Sequence, residues 1–438
     1  MWFTLLLCIF IVTILCTYLQ KPKQFPPGPP RLPILGNLLT FQRLVKDTGH
    51  FHLAVGQLAA KYGRIVGIYL GSGPPTVFVS GYEEVQQALS NRDLDGRPDG
   101  FFNKLRTMGE RRGIIATDGE LWQIQRRFLL RNLRDFGFGK RSMEVIIQEE
   151  AQILVRHVET LATEHPDGVA LHEALTLPVL NSLWAIVAGV RYELNDEIFK
   201  KYISIQDAQI RKLDASGGLV NIFPWLRYIC PEKSGYNILK SQHTQMWNFF
   251  LEIVNYHKNT LEQQYSRDLI DVYLHEIESN NYNKTFSESQ LIAVLKDLFV
   301  AGSETTSNTL SFFFLYMLLY PEIQTRVQAE MTKVVGTDKL PSLENRKDMP
   351  YLSAVLLEVQ RIANIGPMTL PHRALADVEI GGYVIPKDST VLMSLYSIHM
   401  DKEYWGDPKE FRPERFLNPD GVFTPNPRVL PFGSGISN

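Results

Sequence analysis

The run Ala301-Gly302-Ser303-Glu304-Thr305-Thr306 sets a carboxylic acid beside a hydroxyl within an apolar stretch from Leu291 to Leu319. An acid and an alcohol on adjacent residues can hold and pass protons, and Ala301 and Gly302 leave room beside them. Cleaving dioxygen on a metal needs such a set: two protons for the outer oxygen and little bulk above the metal. Small residues also let a second helix pack closely, and the sequence leaves both uses open. Glycine in a helix costs about 1 kcal/mol against alanine, and a neighbouring hydroxyl can compete for backbone carbonyls. A second pair, Glu358 and Arg361, is spaced i, i+3 and shares one helix face. Left in solvent, such a pair contributes well under about 1 kcal/mol. Trp122 and Arg126, one turn apart, direct an indole N–H and a guanidinium from one face.

These groups need rigid elements to position them. Ser287 with Gln290 reads as a capping box, and Pro321 ends the helix that follows. At about 1.5 Å per residue this helix crosses a whole domain, so it is expected to be the central spine. Helical periodicity dominates from about Glu83 to Leu357. Ile65–Leu70 and Thr76–Ser80 flank Gly71-Ser72-Gly73-Pro74-Pro75 and read as a hairpin. No Gly-x-Gly-x-x-Gly opens a helix there, so those glycines are not a phosphate loop. Val378–Ile380, Tyr383–Ile385 and Thr390–Leu395 predict a second short sheet region about the Gly381-Gly382 turn. The fold class expected is mainly α with small β-sheets, in one domain over residues 37–438.

Composition narrows the class. Apolar residues make up 45% and charged residues 21%, ordinary for a protein with a sizeable core. A net charge of −2 argues against a nucleic-acid partner. The 3 cysteines, with Cys8 and Cys16 in the leader and Cys230 in the body, cannot build a disulfide framework. Residues 1–20 carry no charge and are followed by Lys21 and Lys23. With no basic n-region and no small-x-small cleavage site, the leader reads as an uncleaved membrane anchor, its basic flank cytosolic. Prolines between residues 21 and 36 predict a stiff linker that sets the angle of the body to the bilayer.

Ala301–Thr306, Glu358–Arg361, Phe411-Arg412-Pro413-Glu414-Arg415-Phe416 and Pro431-Phe432-Gly433-Ser434-Gly435 follow in that order. Taken together, they resemble the membrane-bound cytochrome P-450 family of haem-thiolate monooxygenases. The resemblance implies the helical prism of that family behind an N-terminal transmembrane anchor, in the endoplasmic reticulum membrane. It implies haem b, electrons from NADPH through a flavoprotein (NADPH–cytochrome P-450) reductase, and a lipophilic small-molecule substrate. By resemblance, Glu304 and Thr305 are catalytic, with Ala301 and Gly302 beside the cofactor. Arg97, Trp122, Arg126 and His372 hold the haem propionates, and Arg415 joins Glu358 and Arg361 in a buried structural lock. The exposed basic stretch Arg126, Arg127, Arg131, Arg134, Lys140 and Arg141 is where a reductase would dock.

The family's haem loop reads Phe-x-x-Gly-x-Arg-x-Cys-x-Gly. Phe432 and Gly435 match it, Ser437 stands at the arginine position, and the ligand cysteine would fall just after Asn438. Cys230, in Arg227-Tyr228-Ile229-Cys230-Pro231, resembles no thiolate loop. The sequence as written therefore carries no metal ligand, and the alternative expectation is a catalytically inactive truncated or spliced membrane-anchored form. Asn181-Ser182-Leu183-Trp184, Phe223-Pro224-Trp225-Leu226-Arg227 and Ser234-Gly235-Tyr236 resemble insect members near the methyl farnesoate epoxidases. That implies a terpenoid substrate of the juvenile-hormone-precursor kind, held by residues 101–115, 365–369 and Ala301.

Overall fold

The computed structural model describes residues 22–212, 218–279 and 285–433. The expected anchor lies outside them, and among the described residues no helix is long and apolar enough to cross a membrane.

The spine is a single helix, Glu288–Leu319. Ser287 caps it, its hydroxyl accepting from the Gln290 N–H at 3.2 Å. The Gln290 side chain does not return the bond, so the capping box is only half made. Its amide instead clamps Gly113, donating to the Gly113 carbonyl and accepting from the Gly113 N–H, both at 3.1 Å. A buried loop with unpaired backbone groups outcompetes a helix end that water could serve.

The first half of the spine is buried on every side, from Leu291 to Leu295 and at Phe299. Trp184 of the Leu171–Val187 helix and Phe250 of the Tyr236–Asn259 helix each pack against Phe299 at 5.5 Å. Past Phe299 the helix turns polar and partly exposed, since serine, threonine and glutamate offer little apolar area to cover.

The sheets are small. Strands β1 (Ile65–Ile68) and β2 (Thr76–Val79) form the expected antiparallel hairpin, Ile65 opposite Val79. A two-residue strand, β3 (His372–Arg373), is antiparallel to β6 (Thr390–Met393). β4 (Val378–Ile380) and β5 (Tyr383–Ile385) pair around Gly381-Gly382. One expectation is corrected: β6 does not join that second region but runs parallel to β2, giving a four-stranded sheet ordered β1-β2-β6-β3. Its apolar Val391, Leu392 and Met393 need cover on both faces, which the larger sheet supplies.

The proline-rich segment lies along the sheet. Gly67 donates its N–H to the Pro27 carbonyl at 2.9 Å, and a Cβ on Gly28 would sit 2.1 Å from the Gly67 oxygen. Only glycine permits that approach.

Candidate active site

Two polar clusters flank the polar stretch of the spine in the sequence of motifs, and each is built from different elements. The first is on the Pro350–Ala363 helix, where Glu358 and Arg361 share a face and are both fully buried. Arg361 binds the carboxylate with both arms of its fork, Nε to Oε2 at 2.7 Å and Nη2 to Oε1 at 2.8 Å. Its remaining N–H groups donate to the carbonyls of His399 (2.8 Å), Pro408 (2.8 Å) and Glu410 (3.4 Å). Arg415, on the Pro413–Phe416 turn, donates Nε to Glu358 Oε1 at 3.0 Å. The structure thus brings Glu358, Arg361 and Arg415 together. The i, i+3 spacing supplies one pair, and the Phe411–Phe416 block supplies the third member.

Two participants had no sequence signal of their own. The Trp405 ring lies beneath both guanidinium carbons, at 5.1 Å from Arg361 and 5.5 Å from Arg415. His399, fully buried, donates from Nδ1 to Asn364 Oδ1 at 2.8 Å, and its Nε2 accepts from the Leu430 N–H at 2.8 Å. That bond ties the lock to the segment carrying Phe432. Burial, helped by the Arg361 charge, pushes the His399 pKa down to about 4, so the ring is neutral.

The second cluster is a hollow lined by Asp95, Arg97, Thr117, Trp122 and His372. Gly96 makes it possible: a Cβ there would lie 2.6 Å from the Arg373 carbonyl oxygen, so only glycine lets this chain lie against β3. The contact seats Arg97 beside His372, and Arg97 Nη1 donates to the Pro371 carbonyl at 3.2 Å. His372 is buried and donates from Nδ1 to the Leu94 carbonyl at 2.6 Å, which leaves Nε2 as the lone-pair nitrogen. Burial first, and then the Arg97 charge, lower its pKa to about 4. Asp95 brings a carboxyl into the lining, and burial raises its pKa against the pull of Arg97 and Arg92.

Asp118, which sequence reasoning missed, anchors the hollow. Its carboxylate accepts from the Arg97 N–H at 2.7 Å and from Arg111 and Arg373 at 3.1 Å. Although burial alone would raise the Asp118 pKa, these donors hold it below the usual value. Arg126 does not line the hollow; its guanidinium lies 5.3 Å over the Trp122 ring, stacked on a lining residue.

The loop leading into the hollow is held by the spine. Asp297, fully buried, accepts from the N–H groups of Ile114 at 2.7 Å and Ile115 at 2.9 Å, and from Arg106 Nη2 at 2.5 Å. Thr117 and Asp118 follow directly, so the spine and the hollow are connected through this loop.

Two turns on from Asp297, Thr305 donates its hydroxyl to the Ala301 carbonyl at 2.9 Å, and Glu304 is half-buried next to it. Ser307, Thr309 and Ser311 likewise bond back to residues 303, 305 and 307. Such back-bonding loosens the helix carbonyls. Gly302 serves close packing, the second of the two uses the sequence left open. A Cβ there would meet Leu183 Cδ2 at 2.5 Å, so the glycine lets the Leu171–Val187 helix pack closely. Phe432 is mostly exposed at 60%, and Gly435 lies outside the described residues. Cys230, the cysteine within the described residues, is partly exposed at the end of the Leu226–Ile229 helix, away from the lining set.

The donors lining the hollow suit, by their chemistry, the carboxylates of a planar macrocycle. Arg97 stays cationic even though burial lowers its pKa, and Trp122 adds an N–H donor.

Comparison with known proteins agrees. The family model "Cytochrome P450" matches residues 26–438. "Probable cytochrome P450 305a1" of Drosophila melanogaster is 37% identical, over 97% of this chain and 86% of its own length. "Farnesoate epoxidase" of Bombyx mori is 34% identical over 98% and 86%, and "Cytochrome P450 2J2" of Homo sapiens 36% over 95% and 81%. The chain belongs to the cytochrome P450 family, whose members are haem-dependent monooxygenases, and it is an oxidoreductase of that class.

Proposed function

We propose that the protein inserts one oxygen atom from dioxygen into a lipophilic terpenoid of the farnesoate type. Haem, when bound, supplies the iron at which dioxygen is activated. The observation that carries the reading is the convergence of Arg97, Trp122 and His372 on one hollow, tied by the 106–118 loop to Asp297 of the spine, two turns before the acid–alcohol pair.

Each of these residues then has a defined task. Arg97 donates to a haem carboxylate, and Trp122 Nε1 offers a second donor. His372 joins them only when its Nε2 takes up a proton, because Nδ1–H is already committed to Leu94. An anion in the hollow favours that proton uptake by opposing the burial that depresses the ring's pKa. Thr305 Oγ1 holds a proton that it now shares with the Ala301 carbonyl and can turn toward the site. The Glu304 carboxyl restores it. Glu358, Arg361 and Arg415 hold the segment running toward Phe432 in one geometry, since three groups of fixed shape meet in only one way.

The substrate part of the reading draws on the Bombyx mori relative named farnesoate epoxidase. Membrane association is supported by exposed Leu32, Ile34, Trp225, Tyr228 and Ile229. Gly71, which donates its N–H to the Leu35 carbonyl at 3.2 Å, abuts Ile222 and Phe223 and so brings the neighbourhoods of the two stretches together. Electrons from NADPH through a flavoprotein reductase are supported by the exposed row Arg127, Arg131, Arg134, Lys140 and Arg141, which suits an acidic partner.

The test is co-expression with NADPH–cytochrome P450 reductase in microsomes, followed by labelled dioxygen and a panel of farnesoic acid, its methyl ester and unbranched fatty acids. One labelled oxygen in the farnesoate products is expected. Label appearing only in the fatty acids would overturn the terpenoid assignment.

A further inference from the structure

The spine carries a second buried polar cluster that the reaction does not use. Lys296 and Asp297 are adjacent and both fully buried, and because successive residues on a helix point about 100° apart they face different neighbours. They converge on one residue, Arg106, from its two ends. Asp297 holds the guanidinium through Nη2 at 2.5 Å, and Lys296 Nζ donates to the Arg106 carbonyl at 2.9 Å. Lys296 also reaches His243 Nδ1, on the Tyr236–Asn259 helix, at 3.1 Å. A single amine therefore bridges that helix and the loop.

Burial lowers the Lys296 pKa well below that of an ordinary lysine and puts His243 at about 2, so the ring is neutral and its Nδ1 can accept from the amine. The Phe102 ring stacks 5.7 Å from His243, and the Phe102 N–H is held by Asn221 Oδ1 at 2.9 Å. The loop is thus fastened by hydrogen bonds at residue 102 to Asn221 and at residues 106, 113, 114 and 115 to the spine, and its Phe102 ring adds a contact to the Tyr236–Asn259 helix.

A core that only had to be filled would use apolar side chains, which pack there without desolvating charges. Buried polar bonds of this kind are directional and exclude alternative arrangements of the loop. We propose that Lys296 is a positioning residue whose bridge between His243 and the Arg106 carbonyl fixes the 101–115 loop. It thereby sets which bulky lipophilic ligands enter the space between that loop and the spine. The specificity half rests on the monooxygenase reading; the mechanical half does not.

The test compares Lys296→Met, which keeps the length but removes both bonds, with His243→Leu, which removes one. Hydrogen exchange at the Gly113, Ile114 and Ile115 amides reads the loop directly. Exchange about tenfold faster is expected for K296M and about threefold for H243L, the scale of one or two buried hydrogen bonds. Trypsin cleavage at Lys104, Arg111 and Arg112 should accelerate in the same order. A folded K296M with wild-type exchange overturns the proposal. If K296M does not fold, H243L decides alone, and unchanged exchange there overturns it. In microsomes carrying reductase, the KM ratio of methyl farnesoate to a short monoterpene ester should move toward one in both variants. A loosened loop with an unchanged ratio removes the specificity role. Absent turnover in the wild type too counts against the monooxygenase reading and leaves the exchange result standing.

Discussion

The lock and the hollow are both made of arginine, histidine and a carboxylate, yet they differ in what completes them. In the lock, every N–H of Arg361 finds an acceptor in the chain, both Glu358 oxygens accept, and the His399 ring is bonded at both nitrogens. In the hollow, Arg97 and Trp122 direct donors into space, and His372 presents a bare Nε2. Identical residue types thus form a closed scaffold where the chain saturates them and leave open hydrogen-bonding groups where it does not. Saturation makes the lock rigid and costly to break. None of the buried side-chain polar atoms left without a partner among the described residues belongs to the hollow, so its unbonded groups stay open to solvent.

This difference can be tested from its largest consequence downward. Glu358→Ala leaves the buried Arg361 guanidinium without a carboxylate and Arg415 with only Asp407, and should lower stability by about 3–5 kcal/mol in urea unfolding. A loss below about 1 kcal/mol would mean that solvent reaches the lock. Acid comes next. His399 and His372 have folded pKa values near 4 against an ordinary 6.5, so between those values the unfolded chain binds protons that the folded chain refuses. Stability from this source is complete above about pH 6.5 and is lost as pH falls toward 4, by about 3 kcal/mol for each ring. Melting temperature against pH should show the loss, and haem should reduce the His372 share while leaving that of His399 intact.

Thr305→Ala removes a proton-holding hydroxyl and should cut product formation by about a hundredfold. One back-bond on a helix is worth little, so melting should hardly change. Arg97→Ala should weaken haem retention by about tenfold, measured by haem transfer to apomyoglobin, with stability held within about 1 kcal/mol. Equal damage to folding from R97A and E358A would erase the distinction between the clusters. The smallest effect belongs to Gly302→Ala. The gain of about 1 kcal/mol in helix propensity opposes a shift of Leu183 Cδ2, a flexible end, so thermal unfolding should move by only a degree or two.

Much of this was legible from local pattern. The spine, the first hairpin and the Gly381-Gly382 turn follow from periodicity and turn chemistry, which act over a few residues. The pairing of Glu358 with Arg361 follows from helix geometry. Arg415 and the hollow residues were reached only through the order of motifs along the chain. Asp118, Trp405, His399 and Lys296 were missed, because a lone aspartate, tryptophan, histidine or lysine carries no spacing that distinguishes it. Gln290 was assigned to a cap on a correct local signal, and a distant loop with unmet hydrogen bonds claimed its side chain.

The amino-acid order alone determined which segments are helix or strand, which helix is the spine, and that an acid and an alcohol stand side by side on it. Tertiary structure decided the rest: that β6 lies beside β2, that Gly302 faces Leu183, and that one arginine is saturated while another awaits a ligand. The physical reason is range. Propensity and periodicity are set by neighbours within a turn or two, whereas burial and hydrogen-bond completion depend on groups hundreds of residues away that only the folded chain brings within 3 Å.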